Sequence, residues 1–255
     1  MESGNRELRV CTYNIHKGFS APNRRPILPQ LRHAIRTLDA DLVFLQEVVG
    51  ERLEKSLKPL STKSERDPFI YPQFEYLADE VWPHHAYGRN AIYQKGHHGN
   101  AILSKSPFLN VDNVDVSQWW FSQRGILYGK ISLGINVVCV HFGLFARERE
   151  AQLEMLTQLL TEKIPNNSPL IVAGDFNDWS AKLHRSLVDD LSFFEAYSCI
   201  NGTLAKTFPA RIPMFPMDRI YFRNLDLLDS EVLSGAPWNR LSDHRALYAS
   251  FSMNS

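Results

Sequence analysis

Residues 170–179, Leu-Ile-Val-Ala-Gly-Asp-Phe-Asn-Asp-Trp, constrain this chain more than any other stretch. The apolar run specifies a buried strand, Gly174 breaks it, and Asp175 and Asn177 follow at once. In alternating strand geometry Asp175 and Asn177 project to one side and Phe176 to the other. A carboxylate and a carboxamide are thus delivered together at the carboxyl end of a buried strand. An unpaired charge is costly there unless a metal, a partner or a substrate compensates it. The same residues also suit a strand end followed by an Asx turn. Repetition favours chemistry: apolar runs also end in polar, reactive residues at Asn14, Glu47, His141, Asp218 and Asp243-His244.

The periodicity predicts strands at 8–13, 42–45, 87–93, 100–104, 109–116, 126–133, 135–141, 217–222, 227–233 and 247–251. The strands on either side of Gly134 read as a hairpin, and the second strand is expected to stop at Gln46-Glu47. Leu28, Leu31, Ile35 and Leu38 share one helical face. The clearest helix covers 147–163, with Leu153, Leu156, Leu159 and Leu160 apolar and the charges elsewhere. Shorter helices are expected over 74–81 and 181–190. Residues 51–82 also hold charged helical pieces and a loop from Pro59 to Pro72. Buried strands alternating with a few helices predict an α/β fold, two packed sheets covered by helices. Neither a repeat nor a low-complexity linker interrupts the chain, so residues 1–255 read as one domain.

The chain has 28 basic and 28 acidic side chains, so no global charge argues for nucleic acid or an anionic membrane as partner. Three cysteines without metal-type spacing suit a reducing compartment, and the charged N-terminus lacks the apolar core of a signal peptide. No apolar run approaches the roughly 20 residues of a membrane span. A cytoplasmic location is therefore expected.

Several of the polar strand-end residues have two readings. Glu47 is either a surface residue just past a strand, within a polar rim shared with Gln46, or an oxygen donor for Mg²⁺ or Mn²⁺. His141 alone reads as a structural histidine. With His244 and several carboxylates, and without cysteine ligands, it fits acid–base work better than a structural zinc site. Asp218 is an acid within a strand, open to an ion pair with Arg219 or Arg223. Arg124 is an edge residue or a phosphate clamp.

Taken in chain order, these residues resemble the endonuclease/exonuclease/phosphatase superfamily, which includes deoxyribonucleases, apurinic endonucleases, sphingomyelinases and inositol phosphatases. The resemblance runs through Thr12-Tyr13-Asn14-Ile15, Leu45-Gln46-Glu47-Val48, Gly99-Asn100-Ala101-Ile102-Leu103-Ser104 and Val140-His141. It continues through Gly174-Asp175-Phe176-Asn177 and Asp218-Arg219-Ile220 to Ser242-Asp243-His244. It implies a four-layer α/β sandwich of two mostly antiparallel sheets and a metal-dependent phosphoric ester hydrolase. By the same resemblance Glu47 is the principal ligand of Mg²⁺ or Mn²⁺, supported by Asn14 and Asp243. Asp175 and Asn177 align or deprotonate water, and His244, oriented by Asp218, stabilises phosphate charge or transfers a proton. His141 is the second histidine of the deoxyribonuclease and sphingomyelinase branches, and Arg124 and Asn100 contact substrate phosphate.

The expected substrate is a phosphodiester, with a nuclease or DNA-repair role read first. Lys17, Arg24, Arg25, Arg89, Lys95, His97 and His98 would supply a local cationic rim, or a solvated surface. The alternative is a phospholipid or inositol phosphate. It draws on His141 and on Trp119-Trp120-Phe121, a cluster that is a lipid contact, part of the core or a strand edge. A non-catalytic binding protein of the same fold is the third reading. No protein partner is inferable.

Overall fold

The computed structural model describes residues 6–21, 25–52, 72–94 and 96–253. The pieces expected between residues 53 and 71, the N-terminal residues 1–5, and Arg24 and Lys95 of the expected cationic rim lie outside the described residues.

Two six-stranded mixed sheets form the centre. The first contains β1 (Arg6–Asn14), β2 (Leu42–Arg52), β3 (His84–Tyr93), β4 (Gly96–Ser104), β11 (Asp226–Val232) and β12 (Leu247–Met253), in the order β11-β12-β1-β2-β4-β3. The second contains β5 (Phe108–Asp115), β6 (Gly125–Ile131), β7 (Asn136–His141), β8 (Leu170–Asp175), β9 (Phe194–Glu195) and β10 (Asp218–Arg223), in the order β5-β6-β7-β8-β10-β9. Each sheet holds one parallel pair, β1 with β2 and β7 with β8; the remaining pairs are antiparallel.

The parallel pairs follow from helical crossovers. Helix α1 (Leu28–Thr37) joins β1 to β2, and α3 (Ala146–Lys163) joins β7 to β8. Alternation along the strands then sorts the core into layers. Leu8, Val10, Leu42 and Phe44 meet Val137, Cys139, Ile171 and Ala173 between the sheets. Their neighbours Cys11, Tyr13 and Val43 pack outward with α1 and α2 (Gln73–Ala78). On the other side Val138, Val140 and Val172 pack outward with Leu156, Leu159 and Leu160 of α3. The result is helix, sheet, sheet, helix, an α/β sandwich.

Several local expectations change. β2 does not stop at Gln46-Glu47 but continues to Arg52, because a bulge between Leu45 and Val48 absorbs the irregularity. Gly174 does not break β8. Its φ is +148°, and a Cβ there would lie 1.9 Å from the Val140 carbonyl oxygen, so glycine permits the close approach of β7 and β8. In α3 the charges are not all outward, since Glu148 and Arg149 are buried, as is the neutral Gln152. The expected 181–190 helix is α4 (Lys182–Arg185) followed by one wide turn over Ser186–Asp190. Helices α5 (Ala196–Asn201) and α6 (Trp238–Leu241) were not anticipated. Among the described residues no helix is long and apolar enough to cross a membrane.

Candidate active site

The row of side chains that fills the space between the sheets turns polar at one edge. On β8 the inward series Ile171, Ala173 leads to Asp175, and on β7 Val137, Cys139 leads to His141. On β10 the same row runs from Phe222 and Ile220 to Asp218. Register aligns these ends: His141 lies beside Asp175, Asp218 opposite Asp175, and Asn14 beside Gln46. The parallel pairs therefore deliver their carboxyl ends to one edge, where open α/β sheets place ligands.

Asp175 is the hub. Its Oδ2 accepts a hydrogen bond from Asn14 Nδ2 at 3.0 Å and lies 3.5 Å from His141 Nε2 and 3.8 Å from His244 Nε2. Its Oδ1 accepts the Asn177 backbone N–H at 2.9 Å. Burial, followed by the opposing pull of His244 and the push of Asp218, raises this carboxyl to about 7. His244 donates through Nδ1 to Asp218 Oδ2 at 2.8 Å and packs against Phe208, ring centroids 4.9 Å apart. Burial disfavours its charge, yet Asp218 and Asp175 outweigh burial and raise it to about 10. His141 is driven well below the ordinary histidine value by burial, then by Arg124 and His244. One edge thus holds two imidazoles pushed in opposite directions, His244 up and His141 down, on either side of the Asp175 carboxyl.

Asp218 does not pair with Arg219 or Arg223. Its backbone N–H donates to Thr207 Oγ1 at 3.1 Å, its Oδ2 serves His244, and its Oδ1 is buried without a hydrogen-bond partner. Arg219 turns instead to Asp178, 3.0 Å away, and both side chains are fully buried. The Asp178 carboxylate also accepts the backbone N–H groups of Lys182 and His184. This pair, not anticipated, braces the turn after Asp175. Within that turn Asn177 is not an extension of the strand: its φ is +48°, and its Nδ2 donates to the Phe142 carbonyl at 2.9 Å. The Asx turn and the site occupy the same residues.

Glu47 sits on the bulge of β2 with φ +57°, a conformation that costs a residue with a Cβ on the order of 1–3 kcal/mol. Its carboxylate is partly exposed, 3.9 Å from Lys17 Nζ. Gln46 itself is buried and donates to Thr12 Oγ1 and Cys139 Sγ, so it is not rim. Asp243 is likewise partly exposed, 3.9 Å from His16 Nδ1, and Ser242 Oγ donates to the Asn14 carbonyl at 2.7 Å. The short turn His16–Gly18 after Asn14 thus stands between two lightly compensated carboxylates.

Asn100 is buried. Its Nδ2 donates to the carbonyls of Gly125 at 2.9 Å and Cys139 at 3.3 Å, tying β4 to β6 and β7 across the two sheets. Arg124 is held near the edge by the Phe142 and Gln123 carbonyls.

Hard oxygen donors at this edge suit a divalent cation. Among the described residues Asp175, Asp218 and His244 also offer ligand atoms within 4.8 Å of one another. His244 Nδ1 and Asp218 Oδ2 are bonded to each other, so those atoms are already engaged.

Two packed sheets with Asp, His and Asn at one edge define an α/β sandwich with a polar site between the sheets. The model of the Endonuclease/Exonuclease/phosphatase family matches residues 11–244, and the chain belongs to that family. The uncharacterized protein YbhP of Escherichia coli (strain K12) is 44% identical over 246 residues, 94% of each chain. The UPF0294 protein VV2535 of Vibrio vulnificus (strain YJ016) is 28% identical over 253 residues, 96% of this chain and 77% of the relative. An endonuclease/exonuclease/phosphatase structure from Beutenbergia cavernae DSM 12333 superposes with TM-score 0.77 at 18% identity, covering 98% of this chain and 72% of the other. Truncated Caenorhabditis elegans TDP2 gives 0.63 at 17% identity, covering 97% and 98%. These two likenesses concern the fold alone.

Proposed function

We propose that the chain hydrolyses phosphodiester bonds with the aid of Mg²⁺ or Mn²⁺. The observation that carries this reading is the Asp218–His244–Asp175 alignment, in which a charged imidazole and a carboxyl poised near neutrality face the same space. Glu47 would hold the cation, supported by Asn14 and Asp243. When bound, the cation supplies charge stabilisation on the phosphate oxygens.

The chain's own groups then divide the remaining work. Asp175 accepts the proton of the attacking water, and Asn14 and the Asn177 backbone fix the orientation of its two oxygens. His244, held by Asp218, presents Nε2–H to the phosphate as negative charge builds there. Neutral His141 orients water or the departing oxygen beside Asp175. Asn177 spends one amide N–H on Phe142 and has a second for the phosphate, and Arg124 offers a further phosphate contact. The amide hydrogens of Asn100 are already spent, so it serves as an inter-sheet tie and is not carried into the phosphate site.

Nucleic acid as the substrate draws support from Lys17 beside Glu47 and from Arg124 at the same edge. Phospholipid draws on the rim of the same edge, treated below. The three free cysteines, two of them buried, favour a reducing compartment such as the cytoplasm. The test is a metal-supplemented assay on abasic duplex, single strands, glycerophospholipids, sphingomyelin and inositol phosphates. Turnover of at least one phosphodiester, lost in excess chelator, is the expected result; chelator-resistant turnover contradicts it.

A further inference from the structure

Sixteen large apolar side chains stand exposed among the described residues, and nine of them fall on four loops. Residues 116–124 lead into β6 beside His141, and 142–145 follow His141 directly. Residues 176–181 follow Asp175, and 202–217 lead into Asp218. All four loops therefore rise from the edge that carries the catalytic groups.

Their aromatic side chains form two clusters, one on each pair of loops. Trp119 stacks on Phe121 at 6.0 Å, and Phe121 meets Phe145 of the next loop edge-on at 6.5 Å. Across the edge Trp179 meets Phe215 at 6.3 Å, joining the other two loops. Trp120 leaves 87% of its surface in water, an extreme for an indole. Leu144, Ile212 and Met214 extend the surface with side chains that have no π-face.

The charge on these loops is one-sided although the chain as a whole is neutral. Asp178 is the one acid in them, and it is sealed against Arg219. The bases Arg124, Lys206 and Arg211 lie in the loops, while the flanks carry both signs, with Arg147 exposed just beyond Phe145 and Asp115 exposed just before Val116. Tryptophan and phenylalanine among arginines, without an exposed acid in the loops, match the boundary between lipid headgroups and acyl chains. A single-stranded nucleic acid would use the rings for stacking but gains nothing comparable from the aliphatic members.

We propose that this rim docks on the surface of an anionic phospholipid membrane, so that the catalytic edge faces the headgroup layer. The docking rests on the rim alone. That the docked protein cleaves a headgroup phosphodiester rests on the hydrolase reading above.

Co-sedimentation of the full chain with phosphatidylglycerol–phosphatidylcholine vesicles tests this. Wild-type protein is expected to bind, and Trp120→Ser with Phe145→Ser to bind about tenfold more weakly or worse. Trp120→Ser alone, at a position so exposed that folding does not depend on it, is expected to weaken binding in the same direction. Leu228→Ser, on β11 of the other sheet, and His244→Ala are expected to bind as wild type. Absence of vesicle binding, or equal binding by both rim variants, overturns the proposal. So does rim-dependent binding of single-stranded oligonucleotides without vesicle binding. Vesicle binding by a wild-type protein that turns over no phosphodiester upholds the docking and contradicts only the hydrolase reading.

Discussion

The Nδ1 of His244 donates to Asp218 Oδ2 at 2.8 Å while the Nε2 of the same ring stands 3.8 Å from Asp175 Oδ2. Asp218 comes from β10, Asp175 from β8 and His244 from the turn before β12, so both sheets must assemble before this line exists. One carboxylate fixes the tilt of the imidazole, and the other shares its working face.

Asp218→Asn should therefore act through His244. The substitution removes the charge that outweighs burial of the imidazole, and turnover is expected to fall about 10²–10⁴-fold with little change in KM. Combining it with His244→Ala should add little to the loss from His244→Ala alone. Steady-state kinetics of the single and double variants check this, with circular dichroism confirming the fold.

Glu47→Gln keeps the size of the side chain and removes the charge offered to a divalent cation. The Mg²⁺ concentration for half-maximal activity should rise about tenfold or more, with partial recovery at high Mg²⁺. A Mg²⁺ titration of activity reads the shift. An unchanged midpoint would relocate the cation site.

Asp178→Ala strands the Arg219 guanidinium in the interior. Removing one partner of a fully buried ion pair costs about 3–5 kcal/mol, so the urea midpoint should fall accordingly. Asp178→Ala with Arg219→Met should regain part of that loss. Equal midpoints for wild type and Asp178→Ala would mean that the turn after Asp175 is held otherwise.

His98 links pH to stability. Burial, then Lys17, Arg124 and His97, lowers its folded value from 6.5 to about 4. The unfolded chain thus binds the extra proton first, so this contribution is complete above about 6.5 and is lost as pH falls through about 4. The urea midpoint should decline over that window in wild type and decline less in His98→Gln. Parallel curves would show that His98 titrates alike in both states.

Much of this edge was legible because buried strands alternate. Once Ile171 and Ala173 are inward, Asp175 must be, and the same count carries Val137 and Cys139 to His141. The count fails wherever the backbone leaves regular geometry. Glu47 owes its direction to a bulge with positive φ, and Asn177 to a left-handed turn; neither has a period to read. Asp178–Arg219 was hidden because a buried ion pair looks, in sequence, like two surface charges. Glu148, Arg149 and Gln152 escaped for a related reason. Glu148 takes the Ser122 hydroxyl, Arg149 donates to the Leu144 carbonyl, and Gln152 accepts the Gly143 N–H. A helical face counted for leucines therefore omitted its own amino end. The short helices α5 and α6 are fewer than two turns long, below what apolar spacing can mark.

Hydrolysis of bis(p-nitrophenyl) phosphate in Mg²⁺ or Mn²⁺ by wild type, Asp175→Asn and His244→Ala decides whether this edge is a phosphodiesterase site. The expected result is metal-dependent release of nitrophenolate that excess chelator abolishes and that both substitutions nearly silence, about 10²-fold or more, in folded protein. Undiminished turnover in chelator, or either variant working at the wild-type rate, would contradict it.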